Sequence, residues 1–466
     1  MEFINRKIEL ADLEKRWQSG KPELFIMYGK RRVGKTELMK KFLRGKGGVY
    51  FLADKRTMPD QLRELGRLMA QAFDDPLLET QGFGDWLEVF AYLKRHIKAR
   101  FLFIVDEYPY LAEVDAAASS LFQKGWDEYL KECNCMVVLL GSSIAMMESE
   151  TLIQRAPLFG RRTGQLLLQP LTFLQSREFF PGKSFAEFLG LFTITGGMPA
   201  YLMQMEAHTD METNVAGHVL PKTEFLHNEV EFVLKEELRE PKNYLAILRA
   251  ISFGKRKLSE IVNETGIEKT LVNKYLHILA QLQIVERELP VIEKNPAKSR
   301  KGLYRLCDNF FRFWFQYVFP YHSDLEIGRY DEVIRKFRVQ FNMLCAVTYE
   351  EVCKEIIGQF RGRFFPFERV GKWWEKNEEI DLVAFNAATD QILFGECKWS
   401  EKPVGTNILE ALKKKATLVE WGTHERKEYY ALFSKSGFTP EMVRCAQQEG
   451  VLLVHQDRLY AVSSAD

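Results

Sequence analysis

The sequence predicts an α/β protein of several domains, because three successive stretches carry three different patterns. Residues 24–168 alternate short apolar runs with helical stretches, which is typical of a parallel sheet covered on both faces. Residues 243–306 follow the order helix, helix, helix and strand hairpin, and residues 379–399 form another hairpin behind a helix. A chain of 466 residues is expected to form roughly two to four domains.

The parallel sheet is predicted from five short apolar runs. Each run is too short for a buried helix, so each is expected to be a strand. Helices are predicted between them, notably at 60–73 and 84–98. The strand candidates are 24–28, 49–53, 101–105, 136–140 and 165–168.

A glycine-bounded loop, Gly29–Thr36, follows the first strand and opens a helical stretch. The order of strand, loop and helix start is the context that a phosphate-binding loop, or P-loop, requires. Gly29 and Gly34 allow backbone conformations that a side chain would forbid. The N–H groups of the loop, including those of Arg32 and Val33, are then expected to face the phosphates of ATP beside the positive end of the helix.

Four polar residues are expected to complete the nucleotide site. Lys35 is predicted to reach the β- and γ-phosphates, and Thr36 to place its hydroxyl on Mg²⁺. Asp106 and Glu107 follow the strand candidate 101–105, at the edge where open α/β sheets bind ligands. We expect Asp106 to complete the Mg²⁺ shell and Glu107 to polarise the attacking water. Residues 1–170 are therefore predicted to form a P-loop ATPase domain with ATP and Mg²⁺ as its ligands.

Two further polar pairs have alternative interpretations. Ser142 and Ser143 follow the strand candidate 136–140 and either sense the γ-phosphate or cap the next helix. Arg161 and Arg162 either supply a charge-stabilising arginine to the nucleotide or are solvated surface residues. The sequence leaves both alternatives open.

Residues 171–240 are predicted to form a helical lid, since the stretch is mostly helical apart from the turn Thr195–Pro199. Residues 241–320 are predicted to form a winged helix-turn-helix and a junction. Its third helix is expected at 268–281. The residues predicted to face inward on that helix and just after it are Leu271, Tyr275, Ile278, Leu279 and Leu282.

A winged helix places its third helix in the major groove of duplex DNA, so DNA is the predicted partner. The basic loop between the two strands is expected to hold phosphates through Lys298 and Arg300. The alternative is a winged helix that binds only protein, because the third helix carries just two lysines. The third-helix residues expected to face DNA are Lys269, Thr270, Asn273 and Lys274.

A group of carboxylates and a lysine is expected in residues 321–466. Glu396 and Lys398 lie two residues apart on a predicted strand and therefore project from one face. Asp381, on the adjoining strand of the hairpin, is expected beside them, and Glu350 or Glu351 on the preceding helix is expected to complete the acidic cluster.

This arrangement resembles the PD-(D/E)xK nucleases. Asp381 and Glu396 are expected to bind Mg²⁺, which activates water and neutralises the scissile phosphate. Lys398 is expected to stabilise the charge that develops on the phosphate. The alternative is an ordinary salt bridge between Glu396 and Lys398.

Composition limits the location and partners of the protein. Its 65 basic and 64 acidic residues almost balance, so affinity for DNA must come from local patches. Seven scattered cysteines favour a reducing compartment. The N-terminal residues are charged and the sequence has no long apolar run. We therefore expect that the protein has no signal peptide and no membrane span. We expect a cytoplasmic protein.

Across its whole length the chain resembles the prokaryotic archaeal-type ATPase family, a branch near the STAND and AAA+ P-loop ATPases. The resemblance implies that Phe3, Ile4 and Arg6 lie near the adenine and its adjoining phosphates. It also implies a companion C-terminal domain that resembles a restriction-endonuclease-like fold. The segments that carry the resemblance are Phe3–Arg6, Glu9–Leu10, Gly29–Thr36, Val105–Tyr108, Gly141–Ser143, Gly160–Arg162, Gly196–Pro199 and Tyr304–Trp314.

Two functions from different classes follow as hypotheses. The leading one is an ATPase that couples its nucleotide state to DNA binding and metal-dependent cleavage of nucleic acid. The alternative is a signalling switch that hydrolyses ATP slowly, with a non-catalytic C-terminal interaction domain. Either function is compatible with an ATP-dependent homo-oligomer.

Overall fold

The computed structural model describes residues 3–238, 240–360, 364–423 and 425–460. These residues divide into two compact units. The first contains the described residues up to Leu171 together with Met198–Ala200. The second contains Thr172–Gly197 and the described residues from Tyr201 onward. The finer division of the second unit, at 240 and 320, stays a prediction.

The first unit contains a five-stranded parallel sheet of order β2-β3-β4-β1-β5. Every residue of β1, β3 and β4 is buried, because helices cover both faces of the sheet, and this explains their uninterrupted apolar runs. The parallel α/β prediction is thus confirmed. The strands are β1 (Glu23–Tyr28), β2 (Gly48–Leu52), β3 (Phe101–Asp106), β4 (Cys135–Gly141) and β5 (Gly164–Leu167).

The helices of the first unit connect these strands and supply the rest of its core. The expected helices at 60–73 and 84–98 are present as α3 and α5 below, with bounds shifted by about two residues. The helices are α1 (Lys7–Gln18), α2 (Lys35–Leu43), α3 (Met58–Phe73), α4 (Pro76–Gln81), α5 (Trp86–His96), α6 (Pro109–Val114), α7 (Ala118–Gly125) and α8 (Ile144–Met147).

The stretch after Leu171 is helical, as the sequence predicts. Thr172 and Ser184 begin two of its helices with reciprocal capping boxes, in which the side chain of the third helical residue returns to the cap. The helices are α9 (Phe173–Ser176), α10 (Phe185–Thr195), α11 (Pro199–Leu202), α12 (Met211–His218) and α13 (Glu229–Glu237).

Three helices and an antiparallel hairpin follow in the expected order. The inward face expected for the third helix is correct at Leu279 and Leu282, which are buried, but wrong at Leu271, which is 41% exposed. Val272 and Leu276 are buried in the first half of the helix instead. Apolar residues occur there in adjacent pairs, so either phase satisfies helical periodicity. The elements are α14 (Lys242–Ser252), α15 (Leu258–Thr265), α16 (Lys269–Gln281), β6 (Val285–Glu288) and β7 (Leu303–Leu306).

The C-terminal part of the second unit contains a six-stranded mixed sheet of order β13-β12-β11-β10-β9-β8. Strands β8, β9 and β10 are antiparallel neighbours, and β10, β11 and β12 are parallel. The helices are α17 (Asn309–Tyr317), α18 (His322–Glu326), α19 (Asp331–Gln359), α20 (Thr406–Ala416) and α21 (Pro440–Glu449). The strands are β8 (Arg369–Glu375), β9 (Glu378–Asn386), β10 (Gln391–Lys398), β11 (Lys427–Ser434), β12 (Leu452–His455) and β13 (Arg458–Leu459).

All seven cysteines are free thiols. Within the described ranges, we find no helix that combines the length and the apolar character needed to traverse a bilayer.

Candidate functional site

The loop between β1 and α2 has the backbone conformation of a tight phosphate cradle. Gly29 has φ +151°, and a Cβ atom there would lie 2.4 Å from the carbonyl oxygen of Leu168. Gly34 has φ +95°, and Arg32 also lies in the left-handed region, with φ 67°. The two glycines therefore stand where a side chain would strain or block the loop.

Lys35 holds its charge over this loop. Its side chain is buried, and its Nζ donates to the carbonyl oxygens of Gly29 at 2.8 Å and Lys30 at 3.0 Å. The ammonium group thus lies inside the curve of the loop, at the start of α2. A positive charge and a helix N-terminus at one place favour a bound phosphate.

Asp106 joins the loop to the end of β3. Its Oδ2 accepts hydrogen bonds from Thr36 Oγ1 at 2.7 Å and from the Tyr50 hydroxyl, and its Oδ1 accepts from Glu107 N at 2.8 Å. Burial, and then the charge of Asp106, raises the pKa of Tyr50 well above its ordinary value, so the tyrosine stays a donor. Oxygen ligands of the Thr36 and Asp106 type are those that Mg²⁺ prefers, so the residues present fit this ion.

Glu107 is held by the end of the neighbouring strand. Its Oε1 accepts from Ser142 Oγ at 2.5 Å and its Oε2 from Ser142 N at 3.2 Å, while its own backbone has φ 53°. Ser143 precedes α8 without a side-chain cap. The capping alternative is therefore wrong for Ser143, and Ser142 is directed at the catalytic candidate.

Arg6 connects the N-terminal segment to the loop. The guanidinium is almost fully buried, with Nη2 2.9 Å from Val33 O and 2.7 Å from Gln169 O, and Nη1 2.8 Å from Glu9 Oε1. Burial lowers the pKa of Arg6, although the Glu9 carboxylate opposes that shift. Arg6 therefore fixes the loop from outside, and the half-buried Phe3 and Ile4 lie in the segment that it anchors.

Arg161 and Arg162 are half-buried, and the partners recorded for them lie outside the P-loop. Arg161 Nη2 lies 3.1 Å from Asp127 Oδ2. Arg162 donates to the carbonyl oxygens of Thr151 and Leu152 at 3.4 Å, and its guanidinium lies over the Phe159 ring. Their roles toward a nucleotide stay a prediction.

In the C-terminal sheet, Asp381 lies next to Glu396. The register that pairs Leu382 with Gly395 places the two carboxylates on neighbouring strands, and Asp381 Oδ2 accepts from Cys397 N at 2.9 Å. Burial, then the charges of Glu396 and Glu350, raises the pKa of Asp381 to about 7. Asp381 and Glu396 are thus close enough for their charges to interact, but among the described residues the group of ligand atoms within 4.8 Å of one another comprises Glu350, Glu379 and Asp381 and does not include Glu396. That Asp381 and Glu396 share one metal ion stays a prediction.

Two lysines neutralise the buried Glu396 carboxylate. Lys398 Nζ lies 2.7 Å from Glu396 Oε1, and Lys415 Nζ, from α20, lies 3.2 Å from each carboxylate oxygen. Burial lowers the pKa of Lys398, but the hydrogen bond and the charge of Glu396 outweigh it and raise the pKa overall. Glu396 and Lys398 thus share one face of β10, as predicted from their spacing.

The orientation of helix α19 determines which of Glu350 and Glu351 joins the carboxylate cluster. Glu350 lies with Glu379 and Asp381 in a group whose ligand atoms are within 4.8 Å of one another, and Lys372 pairs with both glutamates. Glu351 instead pairs with Arg305 and Arg312. Glu350 is therefore the helical member of the carboxylate cluster.

The residues expected to contact DNA are exposed. On α16 these are Lys269, Thr270, Asn273 and Lys274, and in the loop before β7 they are Lys298 and Arg300. The main chain of that loop is bound by β8, with Val291 N donating to Lys372 O at 2.8 Å and Trp374 Nε1 donating to Lys301 O at 3.2 Å. The loop is thus fixed on one side while its basic side chains face solvent.

Three contacting residues were not predicted from sequence: Tyr50, Glu379 and Lys415. Tyr50 reaches Asp106 only because β2 and β3 are neighbours. Lys415 belongs to a run of three lysines, and its position between the buried Leu412 and Ala416 is the signal that would have selected it. Glu379 lies two residues before Asp381 on one strand face, so strand alternation would have found it.

Comparison with known proteins supports the nucleotide site. Residues 3–205 match a family described as an ATPase domain predominantly from Archaea. Residues 314–416 match a family described as archaeal and bacterial proteins of unknown function.

Three individual proteins are similar to this chain. The chain is 34% identical over 442 residues to the uncharacterised protein MJECL04 of Methanocaldococcus jannaschii, covering 93% of this chain and 95% of the relative. Over 44 residues it is 59% identical to an uncharacterised ATP-binding protein of the same organism, which covers 9% of this chain and 75% of that protein. The structure of the Walker-type ATPase PABY2304 of Pyrococcus abyssi has a TM-score of 0.52 at 20% identity, covering 67% of this chain and 96% of that one. The last likeness is one of fold.

Proposed function

We propose that the chain couples ATP binding and hydrolysis to DNA binding and metal-dependent nucleic-acid cleavage. It belongs to one family with its Methanocaldococcus jannaschii relative, and its residues 3–205 match the archaeal ATPase domain. The ATPase part follows from the family. The DNA and nuclease parts are argued below from the second unit.

The contact between Thr36 and Asp106 supports the ATPase chemistry most directly. These two residues would hold Mg²⁺, which neutralises phosphate charge when bound. Lys35 would bind the terminal phosphates, and Glu107 would orient and polarise the attacking water. Ser142 restrains the Glu107 carboxylate, so a shift of Ser142 toward a γ-phosphate would release the carboxylate for that role.

The observation that carries the nuclease proposal is the group formed by Glu350, Glu379 and Asp381, whose ligand atoms lie within 4.8 Å of one another. The pair of Glu396 and Lys398 lies close enough for its charges to act on Asp381. Burial is the largest cause of the raised pKa of Asp381, and the charges of Glu396 and Glu350 raise it further. A divalent cation would relieve this repulsion between carboxylates. Oxygen ligands of this kind suit Mg²⁺ or Mn²⁺, which would supply an activated water and neutralise the scissile phosphate. Lys398 would then stabilise the charge on that phosphate.

DNA binding is proposed for α14–α16 with β6 and β7, interpreted as a winged helix. The exposed face at the start of α16 offers Lys269 and Lys274 to a groove, and Lys298 and Arg300 face solvent beside it. The exposed Glu264 and Glu268 flank that face. Because their charges repel phosphates and only a few basic residues attract them, we expect a modest affinity for DNA.

A second candidate function is an ATP-dependent switch whose C-terminal sheet only binds a partner. One observation favours it: Glu396 already has two ammonium partners, Lys398 and Lys415, so its charge is balanced without a metal. In that case the homo-oligomeric state would change with ATP, and a mass measurement with and without ATP would detect the change.

The deciding experiment incubates the purified full-length protein with plasmid and linear DNA, in Mg²⁺ or Mn²⁺, with and without ATP. Cleavage that Asp381→Ala abolishes, while ATP hydrolysis continues, supports the coupled nuclease. ATP hydrolysis without DNA cleavage under any of these conditions would favour the ATP-dependent switch instead. Absence of ATP hydrolysis in the wild type would contradict the ATPase assignment itself.

A further inference from the structure

Three potential metal ligands meet in the second unit, outside the two clusters described above. They are His227, His322 and Glu326, and one ligand atom of each lies within 4.8 Å of the others. His227 lies in the segment between α12 and α13. His322 and Glu326 are the first and last residues of α18, four positions apart and therefore on one helical face.

The His227 ring is oriented by the main chain. Its Nδ1 lies 2.7 Å from the carbonyl oxygen of Leu220, and since a carbonyl only accepts, Nδ1 carries the proton and Nε2 the lone pair. The backbone is fixed as well, because Trp314 Nε1 donates to His227 O at 2.6 Å. This is the arrangement that metal-binding histidines use, in which the second ring nitrogen donates to a carbonyl.

The remaining ring nitrogen is buried without a partner. In the part of the chain that the structure describes, His227 Nε2 has no hydrogen bond, and its side chain is 0% exposed. The nearest acid is Glu326, whose Oε1 lies 3.9 Å away. A buried polar atom of this kind needs an explanation, and a ligand supplies one.

We propose that His227, His322 and Glu326 bind one zinc-class divalent transition-metal ion, with a water completing the coordination. Two imidazoles and one carboxylate select such ions over Mg²⁺, which prefers oxygen ligands alone. A tetrahedral ion with bonds of about 2.1 Å holds its ligands about 3.4 Å apart. The three ligand atoms lie within 4.8 Å of one another, so small rotations of the partly exposed His322 and the exposed Glu326 side chains would bring them to that spacing.

The ammonium group of Lys222 lies beside the proposed site and would repel a bound metal ion. Lys222 Nζ lies 3.8 Å from Glu326 Oε2 and donates to Glu326 O at 3.2 Å. Its side chain is 58% exposed, so it can turn into solvent when the metal binds. Removing the Lys222 charge should therefore strengthen metal binding.

The bound ion would join the segment before α13 to α18. Because α18 has only five residues, it has little stability of its own, and the ion would fix its one turn. The site therefore contributes a structural link within the second unit, independent of the ATP and carboxylate clusters.

The test uses the EDTA-treated full-length protein, titrated with Co²⁺ in excess Mg²⁺ so that oxygen-only sites are filled. We expect one equivalent of Co²⁺ with visible d–d bands, displaced by Zn²⁺. His322→Gln and Glu326→Gln, which alter partly exposed side chains, should weaken binding about 100-fold or more. Lys222→Gln should tighten it.

His218→Gln is the matched control, because His218 pairs with Glu206 at 3.3 Å but belongs to no three-ligand group among the described residues. It should bind Co²⁺ as the wild type does. Zn²⁺ should also raise the melting temperature of the wild type and of His218→Gln but leave that of Glu326→Gln unchanged. Co²⁺ bands of equal strength in His322→Gln and Glu326→Gln, or no bound ion in the folded wild type, would overturn the proposal.

Discussion

Thr36 Oγ1 donates a hydrogen bond of 2.7 Å to Asp106 Oδ2, which ties the P-loop to the end of a strand that is not adjacent to β1. Strand β4 lies between β1 and β3, and its last residues bring Ser142 to Glu107. The ends of three parallel strands thus deliver the loop, the two acids and the serine to one edge of the sheet.

Glu107→Gln should leave ATP binding intact and slow hydrolysis by about 100-fold or more, because the water loses its polarising carboxylate. The amide keeps an acceptor for the Ser142 hydroxyl, so the fold is retained. Steady-state phosphate release and equilibrium nucleotide binding measure the two effects separately. Lys35→Ala is the companion variant and should lose binding itself. Wild-type turnover in Glu107→Gln would remove Glu107 from the catalytic role.

Asp381→Asn should change how stability depends on pH. An Asp with a pKa of about 7 in the fold and about 3.9 when unfolded binds more protons in the fold, so stability falls as pH rises between those values. The asparagine of this variant cannot ionise, so Asp381→Asn does not lose stability in this way as the pH rises. It should therefore melt several degrees above the wild type at pH 8, with a smaller difference at pH 5. Thermal melting across this range measures it.

The same pair of proteins tests divalent-ion binding at the carboxylate cluster. Mn²⁺ should raise the melting temperature of the wild type at pH 8 but not that of Asp381→Asn, since a ligand of the folded state stabilises it. Glu378→Gln, at an exposed position on the same strand, is the matched control and should behave as the wild type does. A melting temperature for Asp381→Asn below that of the wild type at every pH would be incompatible with the expected repulsion.

Lys415→Ala should destabilise the second unit by about 1–3 kcal/mol, because the buried Glu396 loses one of its two ammonium partners. Urea unfolding measures this loss. Lys414→Ala changes the same kind of side chain on the exposed side of α20 and should have little effect. Equal stability in both variants would show that Lys398 alone balances Glu396.

Reversing Lys269 and Lys274 together to Glu should weaken binding to duplex DNA if α16 enters a groove. Reversing Lys298 and Arg300 should also lower the slope of log affinity against log salt by about 2, since two phosphate contacts are lost. Fluorescence anisotropy over a salt series measures both. Arg63 and Arg67, exposed on α3, provide a control reversal. DNA affinity unchanged in both test pairs would leave only the protein-binding interpretation of this region.

The nucleotide site could be predicted from sequence because its main parts are local. Gly29–Thr36 is a continuous segment, and Asp106 and Glu107 follow an apolar run of strand length, so their place at the sheet edge follows from parallel topology. The pairing of Glu396 with Lys398 is likewise local, since two residues on one strand share a face.

Positions on helices were less certain for a physical reason. Adjacent apolar residues, such as Leu271 and Val272, fit a helical stripe in either phase, and only the packing partner selects one. Sequence alone likewise could not say which of the adjacent residues Glu350 and Glu351 faces the carboxylate cluster. The packing of α19 against the C-terminal sheet decides this.

The sequence by itself determined the order of strands and helices, the phosphate-binding loop and the acidic pair after β3. The tertiary structure alone decided that Tyr50 reaches Asp106, that Lys415 reaches Glu396 and that His227 meets His322 and Glu326. These contacts join residues 19 to 99 positions apart in the chain. Their geometry depends on strand order and helix packing, which arise from burial of the whole core and have no local signature.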